Sequence, residues 1–342
     1  MAERTRGVRS RCLRVPKGRA ESVRMRLIQD GILRKDLKPA RDGDNVCLPV
    51  NGGEIIAEGE LGEWEFIPVR SAPVNYRTVA DVPDGLRAML PRAFDVIGKV
   101  IVIKIPDDLL EYRQQIGHAL LQARPEALSV ALDRGVKGED RIRELELIAG
   151  SPSLETVHVE HGLKFAIDPS RVFFSPRLAT ERLRVAGMVA RGETVLDMFS
   201  GVGPFAIHIA KRAMPSKVFA ADINPAAIEY LKTNIRLNRV SGVEPIQGDA
   251  RGLPGKIPVV DRIIMNLPHL AMEFLPVAMR LLRPGGTVHL YEILEPQEKD
   301  RKKSELASIM KREGHEPRRI TARLVRGYSS FESHFVFDLV AG

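Results

Sequence analysis

Asn266 ends an apolar, strand-like run and is followed at once by Leu267 and Pro268. A side-chain carboxamide offers both a donor and an acceptor, which can fix the plane of an amide-like ring so that one ring nitrogen faces an electrophile. Pro268 stiffens the turn and removes a competing N–H. Upstream stands a glycine loop, Val195-Leu-Asp197-Met-Phe199-Ser-Gly201-Val-Gly203-Pro-Phe205. Its glycines let the backbone approach a ligand at a strand end, where open α/β sheets bind cofactors. The dinucleotide fingerprint asks for a third glycine, and Phe205 stands near its place, so no pyrophosphate is expected. A smaller cofactor, meeting the loop with an amino-acid end, fits better. Together the two elements point to a methyl donor held beside a flat acceptor such as a nucleobase.

Asp222, in Ala220-Ala-Asp222-Ile223-Asn224, ends the next strand, where two neighbouring ribose hydroxyls suit a bidentate acceptor. Asp249, in Gly248-Asp249-Ala250, ends the strand after that and could accept from an adenine amino group. Either aspartate alone could simply cap a helix. With Asp197, three acidic strand ends surround one glycine loop, and this set is read as a site for S-adenosylmethionine. Phe199, Gly201, Gly203, Ile223 and Asn266 complete it, with Phe174 and Arg182 from an upstream segment.

The elements that must position these residues follow from periodicity. From Thr180 onward strands and helices alternate, the sign of a parallel sheet with crossover helices. Strands are expected at 194–198, 218–222, 243–247, 262–265 and 287–291, with helices at 204–211, 225–238, 273–282 and 303–313. Two late strands, 322–326 and 333–339, would form an antiparallel edge. Before this lies a smaller α/β segment with a strand at 100–105, a helix at 107–122 begun by Asp107 or Asp108, and a strand at 127–133. A turn at 134–138, an extended or short helical piece at 141–149 and a hairpin of 157–160 with 163–167 complete it. The N-terminal stretch suggests a helix at 19–30 and strands at 46–50, 54–57 and 64–69. Residues 71–73 and 83–91 read as a linker or a loosely structured boundary. The expected architecture is therefore α/β: a Rossmann-like class I methyltransferase sheet (169–342), an intermediate α/β domain (71–168) and a small N-terminal α/β domain (1–70), to which the resemblance named below adds RNA binding.

Composition narrows the partners. The 342 residues carry a net charge of +8, with basic clusters at Arg4, Arg6, Arg9, Arg11, Arg14, Lys17 and Arg19 and again at Arg318, Arg319, Arg323 and Arg326, which favours a nucleic acid. The polar N-terminus and the lack of a long apolar run suggest neither signal peptide nor membrane span, so a soluble, cytoplasmic protein is expected. Cys12 and Cys47 are too few for a metal cluster or disulfide framework, and the eight histidines lack helical metal spacing. Metal chemistry is disfavoured. His158 and His161 are expected at the surface.

The segments Arg141-Ile-Arg143-Glu-Leu, Phe174-Ser-Pro176-Arg-Leu-Ala-Thr-Glu181-Arg182, Asp197 to Phe205 and Asn266-Leu-Pro268 resemble the tRNA (guanine-37 N1)-methyltransferases of archaea and eukaryotes. The likeness spans nearly the whole chain, because Cys12-Leu-Arg-Val-Pro16 also resembles the small N-terminal domain of the archaeal enzymes. It implies that Glu181 is the general base for guanine N1, that Arg141 neutralises charge gathering on O6, and that Asn266 orients the base in a pocket shaped by Pro268. Phe173 stands where some members carry tyrosine, which keeps an aromatic wall without a hydroxyl. The chemistry agrees: N1 keeps its proton near neutrality, so alkylation there needs a base, and an arginine fork suits the resulting oxygen charge. The implied partner is tRNA, held at the anticodon-loop guanosine and, by the N-terminal domain, at the outer corner; a monomer is expected. A structural arginine–carboxylate pair is the plainer alternative for Glu181 and Arg141. Rival readings are a wyosine-pathway enzyme of the same fold (a dual methyltransferase or an aminocarboxypropyl transferase) and a non-enzymatic tRNA-binding protein.

Overall fold

A computed structural model of the chain describes residues 7–51, 59–68, 74–137, 142–329 and 331–342. Arg141 and the expected strand at 54–57 lie outside the described residues, as do 71–73. The chain divides into two compact units, Met1–Thr78 and Val79–Gly342.

In the first unit, β1 (Val8–Pro16) and α1 (Ala20–Gln29) precede β2 (Ala40–Asp42), β3 (Asn45–Pro49) and β4 (Glu60–Phe66). Their antiparallel sheet has the order β2-β3-β1-β4. Side chains alternate along β1, as a pleated strand requires. Leu13 and Val15 pack with Leu27 of α1, Leu48 and Val50, while Cys12 joins Cys47, Leu37 and Phe66. Both cysteines are free and buried, and burial beside Cys12 pushes the Cys47 thiol up to about 11. Such thiols are inert.

The segment expected as a linker is partly structured. After α2 (Tyr76–Val79), α3 (Asp84–Arg87) forms a single turn, and Val82 and Leu90 flanking it are buried. The order β5-β6-β7-β8 follows from β5 (Asp95–Ile97), β6 (Val100–Ile103), β7 (Ser129–Lys137) and β8 (Ile142–Gly150), with α4 (Arg113–Ala123) between β6 and β7. Residues 107–112 wind as a tight 3-10 stretch, and the helix proper starts only at Arg113, later than expected. The expected turn at 134–138 is, over its described part, the end of β7, which bulges between Asp133 and Val136 and runs on to Lys137.

The hairpin of β9 (Thr156–Glu160) and β10 (Leu163–Ile167) turns through His161 and Gly162, both at positive φ. His161 is exposed, as expected. His158 is half-buried, because its Nδ1 accepts from the Gly98 amide at 3.1 Å.

The largest sheet contains β11 (Thr194–Asp197), β12 (Lys217–Asp222), β13 (Val243–Gln247), β14 (Val260–Met265), β15 (Leu282–Leu294), β16 (Pro317–Gly327) and β17 (Ser333–Ala341). Between them run α6 (Pro204–Arg212), α7 (Pro225–Asn238), α8 (Ala271–Leu281) and α9 (Lys299–Arg312), with α5 (Ala179–Met188) leading in. The order is β13-β12-β11-β14-β15-β17-β16, with β17 antiparallel to both neighbours. This is the expected Rossmann-like methyltransferase sheet. Leu196, Ile263, Met265, Val288 and Leu290 face α8 and α9, while Val195, Val218, Ala220, Ile264 and Tyr291 face α5, α6 and α7. Asn234 and Asn238 of α7 bind the backbone of β10 at Ala166 and Lys164, at 2.7 and 2.8 Å, which fixes the hairpin against the sheet. No helix among the described residues is long and apolar enough to cross a membrane.

Candidate active site

Strand order reverses between β11 and β14, and crevices at such switch points bind ligands outside the carboxyl ends of the strands. The register makes those ends level. Asp197 lies opposite Ala220 and Ile264, and Asp222 opposite Gln247. Past the strands, the Met198 amide still donates to Ile264 O (3.0 Å), Ser200 N to Ala221 O (2.8 Å) and Gly248 N to Asp222 O (3.0 Å). The glycine loop, both downstream aspartates and Asn266 therefore rim one edge.

Two glycines are needed where they stand. Gly201 and Gly203 have φ of 52° and 85°, a region side chains rarely enter. A Cβ on Gly203 would also run into the end of the Leu231 side chain on α7, which would have to shift. The Gly201 amide donates to Asp222 Oδ2 at 2.7 Å, and Asp222 Oδ1 accepts from Asn224 N at 2.9 Å. Asp222 thus braces the loop while half-buried at the rim.

Polar atoms without partners cluster at this edge. Both carboxylate oxygens of fully buried Asp197, the hydroxyl of Ser200 and Oδ1 of Asn266 have no hydrogen-bond partner. Burial first, then the charge of Asp222, push the Asp197 carboxyl up to about 7. The amides of Phe199 and Ala206 are near enough to ease this, although neither makes a hydrogen bond to it. Buried orphans of this kind each cost about 1–3 kcal/mol, and a ligand that satisfies them recovers it. An amino-acid end with donor groups suits Asp197 and Ser200, and this chemistry fits S-adenosylmethionine.

The other expected donor residues divide. Ile223 presents an apolar side chain that is 47% exposed at the rim, and Phe199 packs edge-on to Phe274, with centroids 5.0 Å apart. Asp249 accepts from Arg251 N at 2.8 Å, so without a ligand it caps a short helical turn. Phe174 is buried beneath the Arg182 guanidinium, 4.7 Å from its ring centre. Arg182 itself is buried, ion-paired to Glu160 of β9 and bonded to Ser175 O at 2.7 Å. It pins the β9 hairpin to α5, while its Nε is buried without a partner and its charge is felt by Asp197 at the cofactor edge.

On the acceptor side, Asn266, Leu267 and half-buried Pro268 lead into His269, whose φ of 122° marks a strained turn. Phe173 is 45% exposed and lies beneath the Arg143 guanidinium, 5.6 Å away, so the aromatic wall is present. Arg143 is itself held by Asp95 (3.2 Å) and Asp133 (3.8 Å).

Glu181 is only 2% exposed. Its oxygens accept from the Tyr291 hydroxyl (2.8 Å), from Arg184 (2.8 and 3.0 Å) and from Arg323. Arg184 continues to Asp338 (2.9 Å), Asp338 to His289 (2.6 Å), His289 to Arg262 (2.8 Å) and Arg262 to Glu193 (2.8 Å). Hydrogen bonds from His289 and Arg184 outweigh burial and hold the Asp338 carboxyl far below the usual carboxylate range. Tyr291, Arg184, Asp338, His289 and Arg262 were missed by sequence reasoning, and Arg323 was read only as one of a basic cluster. The spacing of Glu181 and Arg184 on one helix, and the polar alternation His289, Tyr291 in a core strand, were the available signals. His334, next to Tyr291 (ring centroids 5.6 Å), is buried with neither nitrogen partnered, and burial pushes its pKa down to about 4.

Among the described residues no group of three or more His, Cys, Asp or Glu side chains could hold a metal ion.

Three family models match the chain: a TRM5/TYW2 methyltransferase domain over residues 156–316, a TYW2 N-terminal domain over 78–153, and a tRNA methyltransferase 5 N-terminal domain over 12–54. The tRNA (guanine(37)-N(1))-methyltransferase Trm5b of Pyrococcus abyssi is 44% identical over 82% of this chain and 83% of its own. The tRNA 4-demethylwyosine(37)-methyltransferase Taw21 of Saccharolobus solfataricus is 34% identical over 73% of this chain and 94% of its own. Among solved structures, aTrm5 in its complex with tRNALeu aligns at a TM-score of 0.73 and 31% identity, covering 97% of this chain and 99% of that one.

Proposed function

From the premise that this chain belongs to the TRM5/TYW2 methyltransferase family, we propose that it is an S-adenosylmethionine-dependent tRNA (guanine(37)-N1)-methyltransferase. The observation that carries the reading is the single sheet edge shared by a glycine loop with orphaned acceptors and by Asn266 with its free Oδ1. Asp197, Ser200, Gly201 and Asp222 would hold the donor, with Ile223 and Phe199 offering apolar contact and Asp249 giving up its cap to the adenine. Bound there, S-adenosylmethionine supplies a methyl group on a sulfonium, whose C–S electron pair stays with sulfur.

The chain's own residues do the rest. Asn266 orients the purine against Pro268 and Phe173. Glu181 takes the N1 proton, so the N1 lone pair is free in the plane of the ring. Arg141 meets the charge that passes to O6. General-base assistance is worth roughly 10²–10⁴-fold and a charge-stabilising donor about 10²–10³-fold. The target base leaves its stack to reach such a pocket, at least cost in an anticodon loop. Residues 1–70 would grip the outer corner of the tRNA and 169–342 carry the chemistry, in a cytoplasmic monomer. The basic side chains of β1 and the following turn, Arg9, Arg11, Arg14, Lys17 and Arg19, suit phosphate contacts.

A second reading, carbon methylation of a wyosine precursor at the same position, is favoured by the 34% identity to Taw21. Both are tested by incubating the protein with methyl-labelled donor and tRNA transcripts bearing guanosine, adenosine or the tricyclic precursor at position 37, followed by nucleoside analysis. N1-methylguanosine from the guanosine transcript alone supports the first reading. Label on the adenosine transcript at an equal rate would defeat it, and label on the tricycle would add the second.

A further inference from the structure

Glu181 cannot act as a base while all its donors stay in place. A carboxylate offers four lone-pair sites. The Tyr291 hydroxyl and Arg184 Nη2 occupy Oε1, at 2.8 Å each, while Arg184 Nε (3.0 Å) and Arg323 Nη2 occupy Oε2. One donor must leave before a purine proton can arrive.

The three donors are not equally free to go. Tyr291 is fully buried on β15. Arg184 is tied at its far side to both oxygens of Asp338, at 2.9 and 3.3 Å. Arg323 has no second partner among the described residues, its side chain is 48% exposed, and it stands on β16, the edge strand of the sheet. It is the donor that can swing away.

What would draw it off is an anion, and the surroundings say which kind. A bulge between Leu324 and Arg326 makes Arg326 pair with His334 while Arg323 pairs with Val336. Their partners are two residues apart, so both arginines face the same side. Arg326 is half-buried with Nε unpartnered, it stands near Arg177 and Arg143 and the Asp95 carboxylate that pairs with both, and it lies 5.6 Å above the ring of exposed Tyr328. Cations on one face beside an exposed aromatic ring suit a strand of single-stranded nucleic acid. We infer that Arg323 binds a backbone phosphate of the substrate RNA and is thereby drawn off Glu181, so that RNA docking, not donor binding, frees the base. This rests on Glu181 being the base, and it makes Arg323 a positioning residue.

The test compares the full-length protein with R323A, R323K and E181Q, using a guanosine-37 transcript. Glu181 is faced by Arg184 from its own helix, Tyr291 from β15 and Arg323 from β16, with Asp338 and His289 behind Arg184. In R323A, KM for tRNA should rise roughly 10-fold, and the log–log salt dependence of RNA binding should weaken by about 0.7–0.9. The pH dependence carries the decisive readout. kcat/KM reports the free enzyme and kcat the complex. Loss of a neighbouring cation raises the pKa of a carboxylate. The acid limb of kcat/KM should therefore move to higher pH in R323A, while the acid limb of kcat stays put because Arg323 has already left. R323K should recover most of the salt slope. Both limbs moving together would mean that Arg323 stays on Glu181 through turnover. An unmoved kcat/KM limb, or an unchanged KM and salt slope, would equally overturn the inference. Should R323A unfold, R323K decides alone: the inference requires its salt slope to match the wild type, and a slope as weak as a lost contact overturns it. E181Q separates the two levels. A loss of turnover of about a hundredfold or more keeps Glu181 as the base whatever Arg323 does, whereas near-normal turnover removes the base and this inference with it.

Discussion

The donor and acceptor halves of this site differ in how their polar valences are filled. On the donor half, Asp197 and Ser200 carry buried polar atoms without a hydrogen-bond partner, as does Asn266 where the two halves meet, and the glycine loop is already braced by Asp222. On the acceptor half, Glu181 is saturated by Tyr291, Arg184 and Arg323. A pocket with open valences is ready for its ligand. If Glu181 is the base, as proposed, it must lose a partner before it can work. The difference suggests an order of events in which the donor binds a preformed cradle and the RNA completes the catalytic group.

The contrast is sharpened most by Glu181→Gln. Turnover should fall roughly 10²–10⁴-fold while donor affinity, measured by calorimetry, stays within about threefold. Equal losses in both would mean the two halves are not separable.

Next in size is the ion chain behind Glu181. The Asp338 carboxyl titrates well below its unfolded value, so its stabilisation is present above about pH 4 and lost as pH falls further. Asp338→Asn should lower stability by about 3 kcal/mol at neutral pH, because Arg184 and His289 lose their shared partner. The gap between the two proteins should close in acid melts.

The donor half has the opposite sign. Asp197 titrates near 7 when folded, well above its unfolded value, so its stabilisation is complete below about pH 4 and is lost as pH rises to 7. Without cofactor, Asp197→Asn should therefore gain on the wild type across that window by about 2–4 kcal/mol, read as a widening difference in Tm. A constant difference would show that Asp197 is ionised and paired throughout.

The smallest of these effects is expected at the rim. Asp222→Ala removes the acceptor of the Gly201 amide and should weaken donor binding by roughly 10-fold, with KM for tRNA nearly unchanged. A larger rise in the tRNA KM than in the donor Kd would blur the division.

The donor half was largely legible in the sequence, and the acceptor half was not. The strands at 194–198, 218–222 and 243–247 are short apolar runs ending in acids or turns, and the helices between them repeat with helical period, so the sheet could be drawn before it was seen. Glu181 was visible only through a resemblance, since one glutamate on an amphipathic helix carries no signal of its own. Its partners were hidden for a physical reason. His289 and Tyr291 sit in a buried strand where polar residues mimic the solvent-facing half of an ordinary alternation, and Asp338 comes from a distant antiparallel strand. The β16 bulge, which turns Arg326 to the face of Arg323, depends on pairing with β17 and leaves no local mark. The Glu160 partner of Arg182 was equally hidden, because it comes from the β9 hairpin and not from the motif that carries the arginine. Segment 83–91 looked like a linker because its prolines are local, whereas the burial of Val82 and Leu90 is tertiary.

The most direct test is a pair of crystal structures of the full-length protein, one with S-adenosylmethionine alone and one with S-adenosylhomocysteine and tRNA together. The donor should enter without rebuilding the backbone from Asp197 to Gly203, leaving Arg323 on Glu181, and the tRNA complex should show Arg323 on a phosphate with one Glu181 oxygen facing guanine N1. A glycine loop that refolds around the donor, or a Glu181 still saturated in the presence of the flipped base, would contradict it.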